Sequence, residues 1–166
     1  MIALLNGVID EVGADHLVLD VNGVGYQAFC SSRTLGRAGA RGEGLRLLIE
    51  THVREDHIHL YGFADEAERH WFRLLMTVQG VGARLALAIL SVHAPGALAN
   101  AISAQDKAAL ARAEGVGPKL AQRIANELKD KAGGIALGAA AAQRLPAQTE
   151  DGAAADAVSA LVNLGY

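Results

Sequence analysis

Gly80-Val81-Gly82-Ala83-Arg84-Leu85-Ala86 and Gly115-Val116-Gly117-Pro118-Lys119-Leu120-Ala121 are two copies of one phrase, 35 residues apart. Residues 79–90 and 114–125 agree at six of twelve positions: both glycines, the valine between them, the Leu-Ala pair and the isoleucine. Apolar residues recur at helical spacing around each copy. Ala67, Trp71, Leu74, Leu75 and Val78 precede the first, and Leu85, Ile89 and Val92 follow it. Leu110 leads into the second, and Leu120, Ile124 and Leu128 continue beyond it as a buried stripe. Each copy therefore predicts helix, tight hairpin, helix.

A Gly-x-Gly turn before a helix lets the backbone take positive φ, come close to a partner, and aim the free N–H groups of the helix start outward. Those groups and the helix dipole attract anions. A basic residue, Arg84 or Lys119, follows four positions after each first glycine, and Arg123 shares a face neighbouring that of Lys119. Gly80, Val81, Gly82, Arg84, Gly115, Val116, Gly117, Lys119 and Arg123 are thus candidate contacts for a phosphate backbone. Such contacts do not read bases, so binding should follow DNA shape and salt. Gly82 and Gly117 are expected to matter more than Arg84 or Lys119, because a Cβ would strain the turn and block the approach.

Between the copies, Pro95 interrupts, residues 97–102 can form a short helix, and Ser103-Ala104-Gln105-Asp106 has capping-box spacing. Pro118 suits the first helical position. Ahead of the copies the period changes to that of strands. Residues 1–10, 16–21, 24–31, 45–53 and 58–62 are short runs rich in Val, Ile and Leu, with Asn22-Gly23 as a hairpin signal. Gly36, Gly39, Gly42 and Gly44 mark a flexible connection between the third and fourth runs. Five short strands in about 60 residues fit a small barrel of the OB or SH3-like kind.

Apolar residues make up 51% of the chain and charged residues 20%, the balance of a globular protein. No apolar run reaches the roughly 18 residues of a spanning helix, no secretory signal precedes the first strand, and the lone Cys30 fits a reducing compartment. A cytoplasmic location with no membrane contact is the expectation. The net charge of −3 hides an asymmetry: residues 1–65 carry −4, residues 66–134 carry +3, and the remainder −2. An acidic first part and a basic second part imply two electrostatic tasks.

Gly23-Val24-Gly25-Tyr26, Val53-Arg54-Glu55-Asp56, Leu60-Tyr61-Gly62-Phe63, both hairpins and Ala160-Leu161-Val162-Asn163-Leu164-Gly165-Tyr166 occur in one order along the whole chain. That ordered set resembles the RuvA family, the Holliday-junction-binding subunits of bacterial branch-migration machinery. The resemblance implies an α+β multidomain protein. Residues 1–63 would form an OB-fold barrel, residues 64–132 an all-α domain with tandem helix-hairpin-helix motifs, residues 133–155 a flexible linker, and residues 156–166 the start of a truncated three-helix domain. It implies a homotetramer, or an octamer on DNA, that holds four-way junctions open for a RuvB-type ATPase motor and works alongside a RuvC-type resolvase in recombination, repair and the SOS response. Read as residues alone, Glu55 and Asp56 are a solvated turn; the resemblance implies an acidic pin at the junction centre.

No catalytic set and no cofactor motif appear. None of the four lysines follows a glycine, so there is no Walker-type phosphate loop. His52, His57 and His59 read as exposed strand positions rather than metal ligands, since no third ligand of suitable spacing accompanies them. Trp71 and Phe72 read as core or subunit contacts. A helix-hairpin-helix glycosylase using Asp130 and a single-strand-binding OB protein are the rival readings. The five-strand start and paired hairpins fit the first poorly, and three Phe, one Trp and three Tyr supply few stacking platforms for the second.

Overall fold

The computed structural model describes the backbone of residues 1–142 and the side chains of residues 1–133. Residues 1–133 form one compact unit. It opens with strands β1 (Leu4–Val12), β2 (His16–Val21), β3 (Val24–Cys30), β4 (Gly44–Val53) and β5 (Ile58–Phe63). They close into a barrel in the order β1-β2-β3-β5-β4, with β4 pairing back to β1. Only β3 and β5 pair in parallel. This is the OB-like five-stranded barrel expected from the sequence. Leu17 and Leu19 on β2 and Leu47 and Ile49 on β4 alternate inward and are buried, meeting Leu5, Ile9, Ala28 and Leu60 in one core. Asn22 and Gly23 turn with positive φ between β2 and β3, as their dipeptide predicts.

Two details of the barrel depart from expectation. The first strand runs from Leu4 to Val12 rather than over residues 1–10, because a bulge between Ile9 and Glu11 bends it and lets pairing with β2 continue. The connection after β3 is not merely flexible: it holds helix α1 (Ser32–Ala38). The Ser31 hydroxyl accepts the Thr34 N–H at 3.2 Å to cap it, and Thr34 and Ala38 are buried. A capped, half-buried turn outweighs the cost of about 1 kcal/mol for Gly36 inside a helix.

Helices α2 (Glu66–Met76), α3 (Ala83–Val92), α4 (Pro95–Ser103), α5 (Lys107–Leu110) and α6 (Pro118–Ala142) follow. The expected face of α2 is rotated at its start. Ala67 is exposed, while Glu68 is buried with Trp71, Phe72 and Leu75. On α3, Ala86, Leu87, Ile89 and Leu90 form the buried face, and Val92 is exposed. Ser103 is the last residue of α4 rather than a cap; Asp106 caps α5 by itself, accepting the Ala109 N–H at 3.0 Å. Gln105 turns with φ 54° and donates to the carbonyls of Ile102 and Ala125, which fixes that connection against α6. Ile124 and Leu128 are fully buried and Leu120 partly. Residues 133–142, expected in a linker, continue α6, and their alanines are the best helix formers. The rest of that linker and residues 156–166 lie outside the described residues. Among the described residues no single helix is long and apolar enough to cross a membrane.

Glu68 explains how the barrel holds the first helical hairpin. Its carboxylate accepts the hydroxyls of Ser31 and of Thr34, the latter at 2.5 Å, and all three residues are buried. Nearby, Arg37 donates to Asp65 at 3.0 Å, and the Ser32 N–H donates to Ser91 Oγ on α3 at 2.9 Å. Burial pushes the Cys30 thiol up to about 12, with the Glu68 carboxylate adding to it, so this thiol is a structural one. Glu68→Ala leaves two buried hydroxyls without an acceptor and opens a void, and is expected to lower stability by about 2–4 kcal/mol. Glu68→Gln keeps one acceptor and should lose less. A urea midpoint unchanged in Glu68→Ala would show that the network contributes nothing.

Candidate nucleic-acid interface

The repeated phrase folds the same way twice. The Val81 N–H donates to the Val78 carbonyl and the Val116 N–H to that of Ala113, both at 3.1 Å. The Ala86 and Ala121 N–H groups donate to the carbonyls of Gly82 and Gly117, both at 2.9 Å. Val81 and Val116 are buried and anchor the corners. Positive φ falls on Gly80, at 94°, and Gly115, at 88°. Gly82 is an extended N-cap with φ −92°, and no side chain caps the N–H groups of α3.

This divides the glycines into two jobs. Backbone strain on substitution belongs to Gly80 and Gly115, not to Gly82 and Gly117 as the sequence suggested. A Cβ on Gly82 or Gly117 would meet nothing within 4 Å. Their open side is space beside uncapped N–H groups, where a partner's backbone can approach.

The corners also pack on each other reciprocally. A Cβ on Gly80 would stand 3.4 Å from Leu120 Cδ1, and one on Gly115 would stand 3.1 Å from Leu85 Cδ1. Leu85 and Leu120 are equivalent positions of the repeat, so each copy seats its leucine on the other's turn. Arg123 reinforces the join by donating from Nη1 to the Gln79 carbonyl at 3.1 Å. Sequence reasoning placed Arg123 beside Lys119 and missed this link. The leucine contacts were open to discovery, because the repeat aligns the two residues.

Arg84 is almost fully exposed, and its nearest acid is Asp15 at 3.9 Å. A hydrogen bond from His16 holds the Asp15 carboxyl below its ordinary range, with Arg84 adding a smaller pull. Lys119 is exposed beside Lys107 at the second corner. Gly82, Arg84 and Leu85 line a cleft of about 790 Å³, which Gly115 borders from the second corner. Its opposite wall is the β4–β5 hairpin, through His52, Arg54 and His57.

Glu55 and Asp56 form the exposed tip of that hairpin. The Arg54 N–H donates to the His57 carbonyl at 2.8 Å and closes the turn. His57 Nδ1 lies 2.8 Å from Asp56 Oδ1. The histidines are not simple exposed strand positions, as expected, but half-buried members of an aromatic row. The His57 and His59 rings stand 4.0 Å apart, His59 and Phe29 5.3 Å, and His52 and Tyr61 5.0 Å. Burial pushes the His52 pKa down, so this imidazole is neutral near pH 7. Burial pushes the Tyr61 phenol up, against the opposing charges of Arg54 and Arg84. Arg54, quoted in the sequence only as part of the motif that holds the acidic pair, also lines the cleft. Trp71 and Phe72 are fully buried in the core. Asp130 is exposed on α6. Among the described residues no group of three His, Cys, Asp or Glu side chains is placed to hold a metal.

Comparison with known proteins agrees with this division of the chain. Residues 1–62 match the RuvA N terminal domain, and residues 72–130 match the SAM-like helix-hairpin-helix tandem. The chain is 56% identical to the Holliday junction branch migration complex subunit RuvA of Rhizobium meliloti over 170 aligned positions. It is 59% identical to the RuvA of Methylobacterium radiotolerans and 58% identical to that of Brucella anthropi. Each alignment covers 100% of this chain and 83% of the relative. With the barrel, the paired corners and full-length identity of this order all in agreement, the chain belongs to the RuvA family.

Proposed function

We propose that the chain binds four-way Holliday junction DNA in a structure-selective way, as a homotetramer or as an octamer of two such rings on DNA. It holds the junction open for branch migration in recombination and repair. It is itself non-catalytic; energy comes from a RuvB-type ATPase, and a RuvC-type resolvase acts on the same junction. One observation carries this reading. The cleft that both Gly-x-Gly corners border is also lined by Arg54 and His57, the two residues that flank the exposed Glu55-Asp56 turn. Groups that attract phosphate thus stand near a turn that repels it.

In this reading Gly80, Val81 and Gly82, with Gly115, Val116 and Gly117, shape the corners whose N–H groups meet phosphate. Arg84 and Lys119 add mobile positive charge, and Arg123 both holds the corners together and presents its remaining N–H groups. Glu55 and Asp56 form the acidic pin. A competition gel of four-way junction against linear duplex, with protein mass measured in solution, tests the reading. Strong junction preference by a tetramer is expected, with affinity falling steeply as salt rises. Equal affinity for both DNAs, or a monomer, would overturn it.

A further inference from the structure

We propose that a slot between the outer face of the barrel and helix α3 takes one unpaired nucleobase, with Arg84 on the phosphate of the same nucleotide. The proposal deepens the junction-binding reading above, and rests on it for the source of unpaired bases. Phe29 and Tyr61 are register partners on the parallel β3–β5 pair, and His59 stands two residues before Tyr61. Side chains so placed leave the same face of a sheet. Here it is the outer face, since the neighbouring Ala28 and Leu60 lie in the barrel core. The Phe29 ring stands 5.3 Å from that of His59 and 6.0 Å from that of Tyr61, so the three form a continuous aromatic surface.

These rings line a cavity of about 380 Å³ together with Leu87, Ala88 and Ser91 of α3. Pockets that enclose small ligands span about 300–1,000 Å³. Rings that only seated a helix would be covered by it, whereas Phe29 and His59 are each half-buried and border open space. The Ser32 N–H donates to Ser91 Oγ at 2.9 Å, and both residues line the cavity, so barrel side and helix side are tied together around it.

The lining selects the ligand. Aromatic rings offer faces on which any base can stack. In duplex DNA those faces are covered by neighbouring bases, so the occupant has to leave the stack, which costs least for a base already unpaired. Asp15 lines the slot 3.9 Å from Arg84; its carboxylate can accept an N–H from a base edge and keeps a second phosphate out. Arg84, whose side chain is 95% exposed, lines both this slot and the larger cleft at the first corner, as do Tyr61 and Ala88. A strand held in the larger cleft can therefore turn one base into the slot while its phosphate stays on the guanidinium. Moving a branch point exchanges pairing partners, so each step frees bases for such a slot.

The test uses a four-way junction and a linear duplex, each fully paired, each with one extra unpaired thymidine, and each with an abasic residue in that thymidine's place. Wild type should bind the thymidine form about five-fold more tightly than the abasic form, the worth of one stacked base. Phe29→Leu keeps apolar volume but removes the central ring, and Ala14→Leu adds bulk at an exposed residue lining the slot. Each should abolish that difference and bind fully paired junction as wild type does. Thermal melts check folding; should Phe29→Leu be unfolded, Ala14→Leu decides. Equal binding of the thymidine and abasic forms by wild type, or a difference that survives in the folded variants, would overturn the slot. The same titrations read junction against duplex: absence of that preference is failure of the junction reading, whereas absence of the thymidine–abasic difference alone is failure of the slot.

Discussion

Replacing Gly82 and Gly117 together with alanine is expected to lower junction affinity by about 100-fold at moderate salt while leaving stability almost unchanged. Hydrogen bonds from N–H groups to a charged phosphate are worth about 1.5–3 kcal/mol each. A methyl group standing in the open space beside each helix start would push a phosphate out of reach at both corners. Losing about 3 kcal/mol in total corresponds to that factor. Inside the protein the methyl groups meet nothing within 4 Å, and Gly82 is extended at φ −92°, which any residue adopts. Alanine is a poorer N-cap than glycine by several tenths of a kcal/mol, and the stiffer unfolded chain offsets about as much.

The control is Gly115→Ala, where the effects invert. Here φ is 88°, and the new Cβ would press on Leu85 Cδ1 at 3.1 Å. Strain and contact together should lower stability by about 1–2 kcal/mol. A junction titration and a urea melt on the same samples separate the pair. Wild-type affinity in the Gly82→Ala/Gly117→Ala protein would show that the corners do not approach phosphate.

The repeat that carried this prediction was legible in the sequence because it was written twice. Two copies of Gly-Val-Gly with apolar residues at helical spacing announced both turns, and the barrel strands announced themselves as short runs rich in Val, Ile and Leu. The jobs of the glycines were not legible, since a sequence does not say which of two glycines takes the positive φ. Helix α1 was hidden by Gly36, and its cap depends on Ser31 sharing its hydroxyl between the Thr34 N–H and Glu68. Nothing in the sequence singles out Glu68, because its partners lie 34 and 37 positions away. The cleft was the least legible feature. His52, Arg54 and His57 come together with residues 82–85 and 114–115 only after the barrel has closed.

Neutralising the acidic turn beside that cleft, as Glu55→Gln with Asp56→Asn, should cut the preference for junction over duplex by about ten-fold. Subunit mass should stay the same. A unit charge about 6 Å from a phosphate is repelled by roughly 0.7 kcal/mol in water and about 3 kcal/mol at an effective dielectric of 20. The turn is exposed, so the smaller figure applies, and two charges give about 1.4 kcal/mol, or one factor of ten. The substrates respond unequally because of their shape. In an open junction the strands turn aside at the centre, and in the proposed tetramer the four turns would occupy the gap between them. In a duplex an unbroken backbone has to pass those same carboxylates. Removing the charge therefore relieves duplex more than junction, and both should bind more tightly in absolute terms. Screening sets a further signature: with a Debye length of about 8 Å at physiological salt, the gap between wild type and variant should narrow as salt rises. Loss of the corner N–H groups weakens every DNA, whereas loss of the acids only blurs the choice among them. Opposite outcomes for the corner and the acidic-turn substitutions are what a split between grip and guide requires, and an unchanged preference in the acid-free variant would remove the guide.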